Sequence, residues 1–273
     1  MSAFGARLQA AVAARGRLCV GIDPHAGLLE AWGLDASAEG VRAFGLRVVE
    51  AAAGRVAVVK PQVSFFERWG SAGYAALEDV LGAARAAGLL VIADVKRGDI
   101  GSTMAAYAES WLTPGSPLEA DAVTVSPYLG VGALEGAAQY ALAHGKGLFV
   151  LAATSNPEAA ALQTATVAGE PVAASVARSV ALLEDSDAPV RSLGLVVGAT
   201  VDRARFGLTA DLLEGMPLLA PGFGHQGARL EDADALFGGL APHVLASASR
   251  SILSAGPTGL ADAIEQHLAE LEA

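Results

Sequence analysis

The chain has 273 residues, of which 18 are Lys or Arg and 29 are Asp or Glu, and its formal net charge is −11. This acidic balance argues against nucleic acids and anionic membranes as partners, although a local basic cluster would still bind a small anion. No apolar run approaches the roughly 20 residues that cross a bilayer, so we expect a soluble protein without a membrane partner.

Two features near the N-terminus bear on the cellular compartment. Residues 1–17 are rich in Ala and lack the basic end and apolar centre of a secretory signal, so we expect a cytoplasmic protein. The single cysteine, Cys19, lies in an apolar run and has no partner for an internal disulfide. We therefore interpret Cys19 as a buried, reduced thiol rather than a nucleophile.

Apolar, β-branched runs recur along the chain and are separated by Ala-rich stretches with helical character. We predict eight strands, at residues 18–22, 56–59, 89–93, 122–125, 147–153, 193–197, 217–220 and 244–247. Continuous apolar runs, rather than alternating ones, favour a parallel sheet that is covered on both faces. Two intervening helices, at residues 75–87 and 133–144, are followed by Gly88 and Gly145, and glycine is the residue best suited to a left-handed helix cap.

A run of eight β-α units in about 250 residues is typical of an α/β protein with the (β/α)8 TIM barrel fold. We therefore predict a single barrel domain over residues 1–273. A doubly wound open sheet would need fewer strands or a second domain, and the sequence has no evident linker. The longest connection, residues 156–192, contains a helical stretch at 172–184 and is interpreted as a decorated loop.

Polar residues follow seven of the predicted strands. They lie at positions 23–25, 60–62, 94–96, 126–128, 154–156, 221–227 and 249–251. The functional groups of a TIM barrel collect where its strands end and its loops begin. Because these groups would be costly inside the barrel, we expect them to meet at one solvent-accessible rim.

The third strand end carries the ionisable residues Asp94, Lys96 and Asp99 within six positions. Side chains alternate between the two faces of a strand, so Asp94 and Lys96 should project to the same side, while Asp99 lies beyond a turn that Gly98 permits. An isolated pair of this kind could be a structural ion pair. The polar residues at the neighbouring strand ends favour a catalytic site instead.

The loops after the seventh and eighth strands are the usual phosphate site of a TIM barrel. Here the first of them, residues 221–227, is rich in Gly and carries Gln226, and Arg250 stands at the predicted start of a helix after the eighth strand. A Gly-rich segment alone could be an ordinary turn. Together with Arg250 it favours phosphate binding by backbone N–H groups and a guanidinium.

These strand ends together resemble the orotidine 5′-phosphate decarboxylase family, in its longer bacterial subgroup. The matching segments are Asp-Val-Lys-Arg-Gly-Asp-Ile at 94–100, Val-Lys-Pro-Gln at 59–62, Gly-Ile-Asp-Pro at 21–24, Thr-Ser-Asn-Pro at 154–157, and the Gln226 loop with Arg250. The resemblance covers nearly all of the chain. It implies decarboxylation of orotidine 5′-phosphate to UMP and CO2, the last step of de novo UMP biosynthesis, by a homodimer that needs no metal or organic cofactor.

The resemblance also implies a role for each charged residue of the third strand end. Lys60, Asp94, Lys96 and Asp99 would form a Lys-Asp-Lys-Asp network in which Lys96 donates a proton to C6 of the pyrimidine. Asp99 would reach into the active site of the neighbouring subunit. Two half-shared sites would then require a dimer.

Further residues would bind the substrate in such an enzyme. Thr103, with Ile100 beside it, would also cross to the neighbouring subunit and contact the ribose. The remaining implied contacts are Asp23 to a ribose hydroxyl, Ser155 to the pyrimidine ring, Pro221 against the base, and Gln226 with Arg250 on the 5′-phosphate.

The chain departs from the common family pattern before Arg250, where Ser249 stands in place of the Gly of many relatives. This change puts one backbone contact to the phosphate in doubt. His225 in the Gly-rich loop and His25 after Asp23 could each add a contact, although loop histidines are more often merely solvated.

Two other functions stay open at this stage. A sugar-phosphate enzyme of the same suprafamily, such as 3-keto-L-gulonate 6-phosphate decarboxylase, shares the D-x-K-x-x-D core but uses Mg²⁺ to stabilise an enediolate. That chemistry needs an extra carboxylate ligand, whereas the second strand ends in Lys60 and no extra Glu is evident at the rim. A noncatalytic nucleotide sensor would bind UMP but turn nothing over.

Overall fold

Residues 2–186, 188–224 and 227–273 are described by a computed structural model. Within them, eight parallel strands form a closed barrel in which each strand pairs with its neighbours along the chain and the last pairs with the first. The strands are β1 (Leu18–Ile22), β2 (Val58–Pro61), β3 (Leu90–Arg97), β4 (Ala122–Val125), β5 (Gly147–Ala153), β6 (Leu193–Val197), β7 (Leu218–Pro221) and β8 (Val244–Ala248). This barrel confirms the predicted (β/α)8 fold, while the domain boundaries 1–273 stay a prediction.

Helices surround the barrel. They are α1 (Phe4–Arg15), α2 (Ala26–Ala31), α3 (Ala38–Ala52), α4 (Ser64–Glu67), α5 (Gly70–Ala86), α6 (Gly101–Leu112), α7 (Glu135–Ala143), α8 (Ala160–Gln163), α9 (Val172–Ala181), α10 (Ala210–Leu213), α11 (Ala233–Phe237), α12 (Arg250–Leu253) and α13 (Gly256–Glu272). Short 3-10 helices occupy Val131–Leu134, Pro157–Ala159, Leu230–Asp232 and Gly238–His243, and a small antiparallel hairpin pairs Thr166–Val167 with Glu170–Pro171. No helix of the described residues is long and apolar enough to cross a membrane.

The predicted strand bounds agree with the structure for β1, β4, β5 and β6. The main difference is in β3, which extends to Arg97 instead of ending at residue 93. The register with β4 shifts between Ala93 and Arg97, so the segment that carries the ionisable residues is an irregular part of the strand itself. A pattern of apolar residues cannot reveal such an extension, because Asp94, Lys96 and Arg97 interrupt the apolar run.

The core has two layers, one inside the barrel and one between strands and helices. In β1, Val20 and Ile22 pack in the outer layer while Cys19 belongs to the inner layer. Both faces are covered, which explains the continuous apolar runs. Helix α1 closes the amino-terminal end of the barrel, where Phe4 meets Phe149 edge to face with ring centroids 6.1 Å apart. Burial raises the pKa of the Cys19 thiol to about 12, so the thiol stays protonated.

Candidate active site

Positions that face the barrel interior change from apolar to polar toward the carboxyl ends of the strands. In β2, Val58 lies in the inner core layer and Lys60 follows two residues later; in β3, Ile92 and Asp94 are related in the same way. In β4 the polar residue is Thr124, which is 1% exposed. The strand period therefore brings an ammonium, a carboxylate and a hydroxyl together above an apolar interior.

Asp94 is the centre of this cluster and uses both of its carboxylate oxygens. Oδ2 lies 3.0 Å from the Nζ of Lys60, and Oδ1 lies 2.6 Å from the Nζ of Lys96. Oδ1 also accepts a hydrogen bond from the Thr124 hydroxyl at 2.8 Å. Lys60 and Asp94 are each 7% exposed, whereas the Lys96 side chain is 45% exposed. The buried carboxylate thus holds one buried ammonium and one that remains accessible to a ligand.

The electrostatics of the cluster keep its buried members ionised. Burial alone would raise the pKa of Asp94, but the charges of Lys60 and Lys96, together with hydrogen bonds from Lys96 and Thr124, outweigh it and hold the pKa well below its ordinary value. Burial alone would likewise lower the pKa of Lys60. The negative charges of Asp94 and Asp23 outweigh that effect and hold the Lys60 pKa above its ordinary value.

Lys96 reaches Asp94 through a distorted backbone rather than through regular strand geometry. Its φ is +47°, in the left-handed region that non-glycine residues rarely adopt. Such a conformation costs about 1 to 3 kcal/mol and persists only where surrounding contacts hold it. The expectation that Asp94 and Lys96 lie side by side is confirmed, but its reason is corrected: a bulge, and not the period of two, brings their side chains into contact.

Gln62 and Arg97 extend this arrangement on either side of Lys96. The Oε1 of Gln62 accepts a hydrogen bond from the Nζ of Lys96 at 3.1 Å. The Nη2 of Arg97 donates to Glu67 Oε1 at 2.8 Å, and the hydroxyl of Tyr74 donates to the same oxygen at 2.8 Å. Arg97, the residue after Lys96, is thus connected through Glu67 to helices α4 and α5.

Asp99, Ile100 and Thr103 lie apart from the cluster in this subunit. Asp99 is half-buried, and its Oδ1 accepts a hydrogen bond from the backbone N–H of Ile100 at 2.8 Å. No ion pair joins Asp99 to Lys60 or Lys96 among the residues that the structure describes. Ile100 is 61% exposed and Thr103 is exposed on the first turn of α6. All three are therefore placed where a neighbouring molecule could meet them.

A cavity of about 340 Å³ opens beside the cluster, between the carboxyl ends of β1, β2, β7 and β8. The predicted site residues in its wall are Asp23, Lys60, Pro221 and Arg250. Asp23 Oδ1 and Ser249 Oγ are buried there without a hydrogen-bond partner among the described residues. Such atoms are costly unless a ligand or water pairs with them, so this wall is suited to a polar ligand.

Gly21 explains how β1 and β8 come so close at this cavity. A Cβ on Gly21 would lie 2.6 Å from the Cβ of Ser249, which no side chain could tolerate without movement. The glycine of the first strand motif therefore allows Asp23 and Arg250 to share one cavity wall.

Among the remaining predicted residues that the structure describes, His25 lines the cavity and Ser155 does not. Ser155 is exposed just beyond β5, next to Gly198, and does not line the cavity. Gln226 and His225 fall outside the described residues. His25 does line the cavity, and its ring packs on Phe65 with centroids 4.3 Å apart.

The environment of His25 favours a neutral imidazole. Burial lowers the pKa of His25, the charge of Asp23 opposes that shift, and the charge of Arg250 adds to it.

The described residues form no conventional metal site. Within residues 2–186, 188–224 and 227–273, no three His, Cys, Asp or Glu side chains are grouped to hold a metal ion.

Sequence reasoning missed Thr124 and the Arg97 ion pair, and it placed Gln62 at the rim without a role. The search for site residues considered positions that follow the predicted strands, whereas Thr124 lies within β4. Counting in steps of two from the interior residue Ala122 would have identified Thr124, because both must face the same side of β4. No comparable signal in the sequence indicates that Arg97 pairs with Glu67.

Comparisons with known proteins agree with this geometry. Residues 16–261 match the model of the family described as "Orotidine 5'-phosphate decarboxylase / HUMPS family". An orotidine 5′-phosphate decarboxylase of Salinispora tropica is 54% identical over 276 residues, covering 100% of this chain and 98% of the relative. One of Streptomyces coelicolor is 50% identical over 275 residues, covering 99% and 98%.

Solved structures resemble the whole barrel as well. The crystal structure of a Streptomyces avermitilis protein assigned as orotidine 5′-phosphate decarboxylase has a TM-score of 0.95 at 48% identity and covers 100% of this chain and 95% of that one. Leishmania donovani OMP decarboxylase has a TM-score of 0.78 at 30% identity, with coverage of 100% and 98%. The resemblance predicted from the strand ends is confirmed, and the chain belongs to the orotidine 5′-phosphate decarboxylase / HUMPS family.

Proposed function

We propose that this protein converts orotidine 5′-phosphate to UMP and CO2, the last step of de novo UMP biosynthesis, as a cytoplasmic enzyme. The observation that carries the proposal is the buried Asp94 held between Lys60 and Lys96 beside a polar cavity. The full-length similarity to relatives named for this reaction supports it. It also favours this reaction over the sugar-phosphate alternative.

The chemical difficulty of the reaction lies at C6 of the pyrimidine. When the bond between C6 and the carboxylate breaks, its electron pair stays on C6, where no adjacent carbonyl can delocalise it well. An ammonium fixed near C6 lowers the energy of that charge because it is already in place when the charge develops. The accessible Nζ of Lys96 supplies this charge and then donates its proton to C6, and the resulting amine regains a proton from water.

Asp94 and Lys60 prepare this step. Asp94 stays ionised and holds the Lys96 ammonium through a 2.6 Å contact. Its negative charge also opposes the substrate carboxylate, and that conflict ends when CO2 leaves as a neutral molecule. Lys60 neutralises the other carboxylate oxygen, so that Asp94 can remain buried and charged.

The cavity provides binding at a distance from the reacting carbon. Asp23 would accept a hydrogen bond from a ribose hydroxyl through its unpaired Oδ1, and Pro221 would lie against the base. Arg250, with Gln226 and backbone N–H groups, would bind the 5′-phosphate, and Ser155 would contact the pyrimidine ring as the loops close. Binding energy from the phosphate can then be used to orient C6 against Lys96.

The working unit would be a homodimer with shared sites. Asp99, Ile100 and Thr103 lie outside the cluster of their own subunit, as residues that serve a neighbour must. Mixed dimers test this arrangement. An equal mixture of Lys96→Ala and Asp99→Ala subunits should regain about a quarter of the wild-type activity, because half of the dimers then contain one intact site.

The control for that experiment mixes Lys96→Ala with Asp94→Asn. These two residues act from the same subunit, so no hybrid dimer would contain an intact site and no activity should return. Equal recovery in both mixtures, or none in either, would argue against sharing of Asp99.

The reaction itself is tested by ultraviolet absorbance with orotidine 5′-phosphate, with and without EDTA, and by identification of UMP as the product. The proposal expects conversion that EDTA does not affect and that Lys96→Ala abolishes. No conversion by folded wild-type protein would refute the proposal. Loss of conversion on chelation would redirect attention to the Mg²⁺-dependent sugar-phosphate reaction.

A further inference from the structure

The backbone of Lys96 needs a specific restraint, because its φ of +47° is unfavourable for a residue with a side chain. Among the described residues, the only other non-glycine position with positive φ is Ala168, in the tip of the small hairpin. Lys96, in contrast, lies in a barrel strand beside the proposed reaction centre. A strained residue at such a place is held by its neighbours.

The irregular part of β3 faces a single residue of β4. Ala93 pairs with Val123 and Arg97 pairs with Val125, so residues 94–96 lie opposite Thr124 alone. The regular ladder of backbone hydrogen bonds is interrupted at this point. The groups freed by the bulge must find other partners, since Thr124 is 1% exposed and little water can reach it.

The hydroxyl of Thr124 supplies the missing partner. Its Oγ1 accepts a hydrogen bond from the backbone N–H of Lys96 at 3.0 Å and donates its own hydrogen to Asp94 Oδ1 at 2.8 Å. The same Oδ1 lies 2.6 Å from the Nζ of Lys96. One hydroxyl therefore connects the backbone of Lys96 to the carboxylate that holds the side chain of Lys96.

We propose that Thr124 is a positioning residue that fixes the proton-donating ammonium of Lys96 through this closed set of hydrogen bonds. The inference rests on the proposed function, since it assumes that Lys96 acts on the substrate. Gln62 also holds the Lys96 ammonium, at 3.1 Å, but it does not touch the Lys96 backbone. Thr124 restrains the backbone of Lys96 directly and its ammonium through Asp94.

The alternative is that Thr124 merely stabilises the sheet, and three variants distinguish the two roles. Thr124→Val removes the hydroxyl and keeps the shape of the side chain, whereas Thr124→Ser keeps the hydroxyl. The matched control is Ser192→Ala, because the Ser192 hydroxyl is also buried and also accepts a backbone N–H, from Gly5 at 3.2 Å, at the opposite end of the barrel.

Steady-state kinetics with orotidine 5′-phosphate provide the first readout. We expect Thr124→Val to lower kcat by about 10- to 100-fold with little change in KM, since small misplacements of a reacting group have effects of this size. Thr124→Ser should stay within about threefold of wild type, because it keeps the hydrogen bonds. Ser192→Ala should lower thermal stability and leave kcat unchanged. An unchanged kcat in Thr124→Val, or an equal loss in Thr124→Ser, would overturn the inference.

A crystal structure of Thr124→Val provides a readout that does not depend on activity. The inference expects Lys96 to leave the positive φ region and its Nζ to move away from Asp94. If φ and the 2.6 Å contact of wild type persist, the positioning role is wrong. Should wild-type protein fail to convert orotidine 5′-phosphate, the proposed function fails on the assay, while the structure alone still decides whether Thr124 positions Lys96.

Discussion

Both ends of the barrel bury carboxylates, but the two ends use them differently. At the amino-terminal end, Glu184 accepts hydrogen bonds from the backbone N–H groups of Ser192 and Leu193. Asp121 accepts one from the backbone N–H of Val91 at 2.9 Å and also pairs with the Arg7 side chain at 2.6 Å. At the carboxyl-terminal end, the hydrogen bonds that the structure describes to the Asp94 carboxylate all come from side chains, and none comes from a backbone N–H group. The first arrangement fastens strand ends to one another, whereas the second assembles charge beside a cavity.

The difference separates groups that serve stability from groups that serve chemistry. The amino-terminal carboxylates satisfy backbone donors, which are costly to leave unpaired. The carboxyl-terminal end has a positive φ at Lys96 and oxygens of Asp23 and Ser249 that lack a partner among the described residues, and no gain in stability explains these features. In TIM barrels, residues at the carboxyl-terminal face catalyse the reaction, and residues at the amino-terminal face stabilise the fold.

The largest effect is expected from Asp94→Asn. This variant removes the charge that holds Lys96 and leaves Lys60 buried without a counter-ion. We expect kcat to fall by about 10³-fold, the upper range for loss of one preorganised electrostatic group. The free energy of unfolding should also fall, by about 3 kcal/mol. Kinetics and urea unfolding measure the two effects, and normal turnover would contradict the role of Asp94.

Arg250→Ala should act on binding more than on the reaction step. A guanidinium on the phosphate contributes about 1.5 to 3 kcal/mol, which corresponds to an increase in KM of roughly 10- to 100-fold. The control is Arg229→Ala, which removes an exposed arginine that pairs with Glu231 outside the cavity. Equal KM values in the two variants would exclude Arg250 from the phosphate site.

Glu184→Gln, at the amino-terminal end, should lower stability without lowering turnover, unlike the variants at the carboxyl-terminal end. Its carboxylate accepts three short contacts from backbone N–H groups, and an amide can replace only part of them. We expect the free energy of unfolding to fall by about 1 to 3 kcal/mol. Asp185→Asn changes the exposed neighbour and serves as the control. A fall in kcat for folded Glu184→Gln would break the division between the two ends.

The last prediction concerns the pH dependence of stability. The pKa of Asp94 is lower in the folded protein than in the unfolded chain, so its ionisation adds stability above the unfolded value, which is about 3.9. That contribution is lost as the pH falls through the lower, folded value. The stability of wild type should therefore decline more steeply than that of Asp94→Asn below about pH 4. The free energy of unfolding is measured against pH for both proteins. If the two plots run parallel from pH 6 to roughly pH 2, ionisation of Asp94 does not stabilise the fold.

Most of the barrel could be predicted from the sequence, because covered parallel strands appear as uninterrupted apolar runs. The bounds of β1, β4, β5 and β6 follow directly from those runs. The bulge in β3 could not be predicted, since Asp94 and Lys96 interrupt the apolar run and its shape depends on Thr124 across the sheet. Local patterns contain no information about such a partner.

The candidate site was predictable where polar residues follow strands. Asp23, Lys60, Pro221 and Arg250 indeed share one cavity wall. Thr124, which hydrogen-bonds Asp94 and the backbone of Lys96, was not predicted, because a buried Thr within a strand is common in any sheet. Asp99, Ile100 and Thr103 are expected to act in the active site of a second subunit. A single chain does not contain that site, so these roles stay predictions.

The most direct test of the account asks whether Lys96 moves a proton at C6. UMP incubated in D2O with the enzyme should exchange its C6 hydrogen for deuterium, because the catalytic proton transfer must also run in reverse. Proton NMR follows this exchange without any need for decarboxylation. The account predicts exchange with wild type and none with folded Lys96→Ala. Exchange at the wild-type rate in Lys96→Ala would contradict it.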